Sequence, residues 1–148
     1  MSQASTLPVS GSIVDRATKE SLVMGLNLDT PRQSLIRKEV FPCAYAERLE
    51  AEYRRYLLLL ILFPDERFSP GWHIDQFWHA HILDTRNYAR DCELINGAFI
   101  HHSPEERDEI LVPAYESTLR RYEEVFGEKA PSDIFLPERD TDLTCDKC

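Results

Sequence analysis

The sequence predicts an all-α protein, a single-domain helical bundle of three long helices with a short N-terminal helix and a docked, irregular C-terminal tail. Three observations carry this. Apolar side chains recur at spacings of three and four through 46–61, 74–92 and 110–126, the period of a helix with one buried face. Each stretch is bounded by helix-stop residues: Pro64, Asn96-Gly97 and Gly127. The length of 148 residues, 43% apolar, suits one domain with one core.

Residues 1–12 are small and polar, with Pro8 and Gly11 and no apolar period, and are expected to form a flexible leader before a helical domain over 13–136. Asp29 and Thr30 ahead of Pro31 make a helix start, and Leu35, Ile36 and Val40 supply the apolar edge of a short helix near 31–40. After Pro42, the series Ala46, Leu49, Tyr53, Tyr56, Leu57, Leu60 and Ile61 predicts the first long helix, with charged residues on its other face. The run Leu57–Phe63 is apolar all round, so it belongs at the centre of the bundle, and Leu60 is expected to face inward. A second long helix is expected over about 73–95, its broad apolar arc holding Ile74, Phe77, Trp78, Ile82, Thr85, Tyr88, Ala89 and Cys92. Ser103-Pro104-Glu105-Glu106 starts the third, over about 104–126, with a bend at Pro113 and Ile110, Leu111, Tyr115, Leu119, Tyr122 and Phe126 inward. Ile134, Phe135 and Leu136 are expected to dock the following segment, leaving 137–148 as an acidic tail that ends in C-x-x-C.

Seventeen Lys and Arg against 26 Asp and Glu leave a formal charge of -9, which repels phosphate backbones, and no basic patch offsets it. Nucleic acid is therefore not an expected partner. The longest run of aliphatic and Phe side chains, seven residues, is far short of the roughly 20 that span a bilayer, so no membrane partner is expected either. The N-terminus lacks the basic start and apolar stretch of a secretory signal, which makes the cytoplasm the expected compartment, with the cysteines as thiols or metal ligands. No G-x-G-x-x-G, Walker, G-x-S-x-G or H-E-x-x-H pattern is present, and no catalytic residue is assigned.

The functional signal is a histidine window. All five histidines, at 73, 79, 81, 101 and 102, fall within thirty residues that also hold Asp75, Asp84, Cys92 and Trp78. Imidazole with a carboxylate or thiolate is the donor set of Zn and Fe sites, so His79, His81, His102 and Asp75 are the candidate metal ligands, with His101, Cys145 and Cys148 behind them. Asp75 and His79 stand i and i+4 on one helical face, placing the carboxylate to serve as ligand or as acceptor for the imidazole. His79 and His81 lie about 200° apart around a regular helix, so one ion takes both only if the helix is distorted near Ala80. The competing arrangement divides them: His81 joins Thr85 and Tyr88 in a buried polar network on the row that ends at Cys92. His73 is read as a helix-start residue, and Trp72 and Trp78 as core whose indole N–H groups need partners.

The run Asp75-Gln-Phe-Trp78-His79-Ala-His81, continuing through Tyr88 and Cys92 to Gly97-Ala-Phe-Ile-His101-His102-Ser-Pro104, resembles the signature of the bacterial glycine-rich domain-containing protein-like family. A related W-H-x-H segment is found in the plant glycine-rich domain proteins. The likeness extends from Leu28-Asp29 through Glu52-Tyr53-Arg54 to Tyr122–Gly127 and is most specific in the histidine window. It implies an all-helical domain and no settled activity. With five glycines and no glycine-rich segment, any role tied to such a segment does not carry over.

Cys145 and Cys148 have the spacing of half a zinc site, which two histidines from the window would complete if the tail folded back. Cys92 reads as a buried, inert thiol. Three functions follow. The first is a histidine-rich domain that binds Zn or Fe and acts on a protein or small-molecule partner without turnover. The second is a small metal-dependent enzyme using the same His/Asp cluster with an open coordination position. The third is a structural or interaction module without metal.

Overall fold

The computed structural model describes residues 8–104 and 107–136, which form α1 (Pro8–Met24), α2 (Asp29–Arg37), α3 (Cys43–Leu62), α4 (Trp72–Leu83), α5 (Thr85–Asn96) and α6 (Asp108–Phe126). No strand occurs among the described residues. α1 begins at Pro8, inside the stretch read as a leader; residues 1–7 lie outside the described residues, as do 137–148 with Cys145 and Cys148.

α3 is the central element and packs against α1, α2, α4 and α6. Ala46, Leu49, Tyr53, Tyr56, Leu57 and Ile61 are buried, as the period through 46–61 requires, and Leu58 and Leu59, outside that series, are buried as well. Burial of each large apolar side chain here is worth about 1.5–3 kcal/mol. Leu60, expected inward, is only half-buried, and Leu59 is the fully buried neighbour. A 100° step separates them, and the wholly apolar end of α3 gives no polar face from which to read the inward direction.

The single long helix expected over 73–95 is two. Asp84, at φ −83° and ψ 67°, leaves the helical region between α4 and α5, and its carboxylate accepts a 2.7 Å bond from Asn87 Nδ2. Asp side chains that bond locally compete with helix continuation. Because the chain turns there, residues ten apart meet: Trp78 with Tyr88 and His81 with Asp91, which a straight helix would hold about 15 Å apart. α6 starts at Asp108, after an extended Arg107, rather than at Pro104, and runs through Pro113 to Gly127 in the left-handed conformation.

The segment after α6 is fastened to both α3 and α6. Ile134 and Phe135 are buried, the Tyr115 hydroxyl donates to the Phe135 carbonyl at 2.7 Å, and Arg48 donates to both Asp133 carboxylate oxygens at 2.7 and 3.2 Å. This pairing holds the Asp133 carboxyl below the usual carboxylate range. Gly71, at φ 88°, lets the chain before α4 pass against Leu136, where a Cβ would fall 1.7 Å from the Leu136 carbonyl oxygen. Among the described residues, no helix is long and apolar enough to cross a membrane.

Candidate metal centre

α4 presents Asp75 and His79 one turn apart, and the connection between α5 and α6 returns His102 to them. His102 Nε2 lies 2.6 Å from Asp75 Oδ1 and 2.9 Å from His79 Nε2, and His79 Nε2 lies 3.2 Å from Asp75 Oδ2. Three ligand atoms, two imidazole nitrogens and one carboxylate, thus converge from two elements. His79 is about half exposed, at 48% of its side-chain surface, whereas Asp75 and His102 are more enclosed. The His102 ring stacks on the Trp78 indole, with centroids 4.1 Å apart and planes 6° from parallel.

The three contacts compete for protons. Each Nε2 carries at most one hydrogen and an ionised carboxylate none, so three mutual contacts share at most two hydrogens. With both hydrogens in place, the nitrogens bring N–H against N–H at 2.9 Å; with one removed, a contact goes without a proton. A cation bound among the three residues would accept a lone pair from each.

His81 lies elsewhere. It is 2% exposed, its Nδ1 is 2.8 Å from the Tyr53 hydroxyl and its Nε2 is 2.9 Å from Asp91 Oδ2. Burial pushes the Tyr53 phenol well above its ordinary range and pulls the His81 imidazole down, so the neutral ring accepts from Tyr53 at Nδ1 and donates from Nε2 to Asp91. The divided arrangement of the two histidines is the one found, with different partners from those expected. Thr85 is exposed at the start of α5, and Tyr88 meets His81 only edge-on, at 4.8 Å between ring centroids. The Tyr88 hydroxyl instead accepts from Trp78 Nε1 at 2.9 Å and donates to the Ile100 carbonyl at 2.6 Å.

His101 is exposed, its ring 4.9 Å from that of Phe99, and it is not among the converging residues. His73, the second residue of α4, stands at the helix start as read, and it is buried there, pairing through Nδ1 with the Tyr45 hydroxyl. Cys92 is buried at 1% exposure, and its thiol is pushed up by that burial. The surface groove lined by Glu66, Glu109, Ile110, Pro113 and Ser117 contains none of the candidates. Spacing alone did not reveal Tyr53 and Asp91 as partners of His81: Tyr53 reads as core in the period of α3, and Asp91 becomes a neighbour only through the turn at Asp84.

The fold and the cluster define a small all-helical domain with two imidazoles and a carboxylate gathered at its surface. The chain belongs to the UCP032817-like family, whose model matches residues 32–125, a span that contains all three converging residues. It is also 25% identical over 125 residues to glycine-rich domain-containing protein 1 of Arabidopsis thaliana, an alignment that covers 78% of this chain and 15% of that protein's length. No solved structure matches it.

Proposed function

We propose that this domain binds one divalent transition-metal ion, Zn or Fe, through Asp75, His79 and His102. The carrying observation is the convergence of the two imidazole nitrogens, 2.9 Å apart, on the Asp75 carboxylate, with His102 Nε2 2.6 Å from Oδ1 and His79 Nε2 3.2 Å from Oδ2. Donors about 2.1 Å from a metal stand about 3.0 Å apart on an octahedral face and about 3.4 Å apart in a tetrahedron, so the 2.9 Å between the two imidazole nitrogens suits adjacent positions of a six-coordinate ion, with a carboxylate oxygen of Asp75 as the third donor. Two imidazoles and one carboxylate on one face are a donor set used by both Zn(II) and Fe(II).

The donor count also supports the metal-dependent enzyme as a second reading. Closed structural zinc sites use four protein ligands, whereas three leave room for water or a small-molecule partner, and the half-exposed His79 keeps that side of the ion open. Cys145 and Cys148 are not needed for this set. Protein prepared without a polyhistidine tag, titrated with Zn(II) or anaerobically with Fe(II), should bind one equivalent. Asp75→Asn and His79→Ala should each weaken binding at least tenfold. Equal affinity in wild type and in a His79→Ala/His102→Ala double variant would refute the assignment and return the cluster to a metal-free surface network.

A further inference from the structure

His102 reaches the cluster from a connection, not from a helix, so its position depends on what holds residues 97–104. Little apolar burial does so: Ala98, Phe99, His101 and Ser103 are exposed and Ile100 is half-buried. Such a segment opens at low cost unless specific contacts hold it. Besides the Asn96 bond to the Ala98 carbonyl, the edge-on contact of Phe99 with Tyr88 and the contact of Cys92 with the Ile100 backbone, two contacts made by residues outside the ligand set lie nearest His102. The Tyr88 hydroxyl donates to the Ile100 carbonyl at 2.6 Å, two residues before His102, and the Trp78 indole lies flat against the His102 ring at 4.1 Å. They are linked, because Trp78 Nε1–H donates to the same Tyr88 oxygen at 2.9 Å.

Resting on the metal reading above, we infer that Tyr88 and Trp78 are the positioning residues of the metal centre, and that metal loading and docking of the α5–α6 connection are one coupled equilibrium. Tyr88 sets where the backbone passes, and Trp78 sets the plane of the imidazole, leaving Nε2 aimed at Asp75 and His79. A ligand held ready in this way does not lose its freedom at the moment of binding. Coupling is reciprocal: whatever factor the docked loop contributes to metal affinity, the metal returns as protection of the loop. The ion thereby fastens the connection ahead of α6 onto α4.

The test uses the full chain without a tag and Zn(II) as the probe, with affinity read by competition against a chromophoric chelator and loop docking by hydrogen exchange of the amides of residues 98–103. Tyr88→Phe removes the tether while keeping the ring; it should weaken Zn(II) binding ten- to a hundredfold, as loss of a supporting contact around a metal ligand commonly does. In wild type, Zn(II) should slow exchange of these amides at least tenfold while leaving those of α3 unchanged, and the wild-type measurement stands even if Tyr88→Phe folds poorly. Trp78→Phe, which keeps an aromatic face but loses the N–H, should fall between the two. Zn(II) binding to wild type with no change in loop exchange, or Tyr88→Phe binding as tightly as wild type, overturns the coupling and leaves the metal assignment intact. No Zn(II) binding by wild type overturns both.

Discussion

Replacing Asp91 by Leu should destabilise the fold by about 1–3 kcal/mol, because it leaves the His81 Nε2–H donor buried with no acceptor. The magnitude follows from the geometry around His81, which is 2% exposed, 2.8 Å from the Tyr53 hydroxyl and 2.9 Å from Asp91. With the phenol held protonated and the imidazole neutral, Asp91 is the acceptor for the only ring proton, and Leu cannot replace it. Asp91→Asn keeps an acceptor oxygen within reach and should cost less than about 1 kcal/mol, so the pair of variants separates the lost acceptor from the lost charge. Equilibrium urea unfolding at pH 7.5, followed by circular dichroism, gives both values on one scale. An Asp91→Leu protein within about 0.5 kcal/mol of wild type would refute the proton assignment and the claim that this network needs its acceptor.

Tyr53→Phe removes the other partner of His81 and should also cost about 1–3 kcal/mol, and a double-mutant cycle with Asp91→Leu should show non-additivity because both act on one ring. The His81 imidazole is lowered by burial in the folded state, so between its folded value and the ordinary 6.5 the unfolded chain binds more protons. Its contribution is full above about pH 6.5 and is lost as pH falls through the folded value; urea midpoints taken downward from pH 7.5 should fall, with a shallower slope in His81→Gln. Leu59→Ala should cost about 2–5 kcal/mol, and half-buried Leu60→Ala clearly less; equal losses would contradict the inward direction assigned to α3. Gly71→Ala should cost at least about 1–3 kcal/mol from its backbone conformation alone and should loosen residues 134–136, seen as faster amide exchange there, since the new Cβ meets the Leu136 carbonyl.

The helical class and the core of α3 were legible because apolar spacing at three and four is a local property that survives packing: Leu49, Tyr53, Tyr56 and Leu57 lie where the period puts them. The break at Asp84 was not, because neither Pro nor Gly stands there and the apolar arc continues across it from Ile82 to Tyr88. From that one turn follow the contacts that spacing on a straight helix forbids, Trp78 with Tyr88 and His81 with Asp91. The angle of about 200° between His79 and His81 did hold the answer to their separation, since it sends one imidazole to the surface beside Asp75 and the other into the core. The approach of His102 to Asp75 is a contact between residues 27 apart, made by the connection between α5 and α6, and no local pattern encodes the path of such a connection.

The most direct test of the central claim is X-ray absorption at the metal edge on tag-free protein loaded with one equivalent of Zn(II). Two imidazole shells and one carboxylate oxygen at about 2.0–2.1 Å, falling to one imidazole in His102→Ala, are the predicted result. A spectrum from loaded protein that is unchanged by His102→Ala, or one without imidazole scattering, would contradict it.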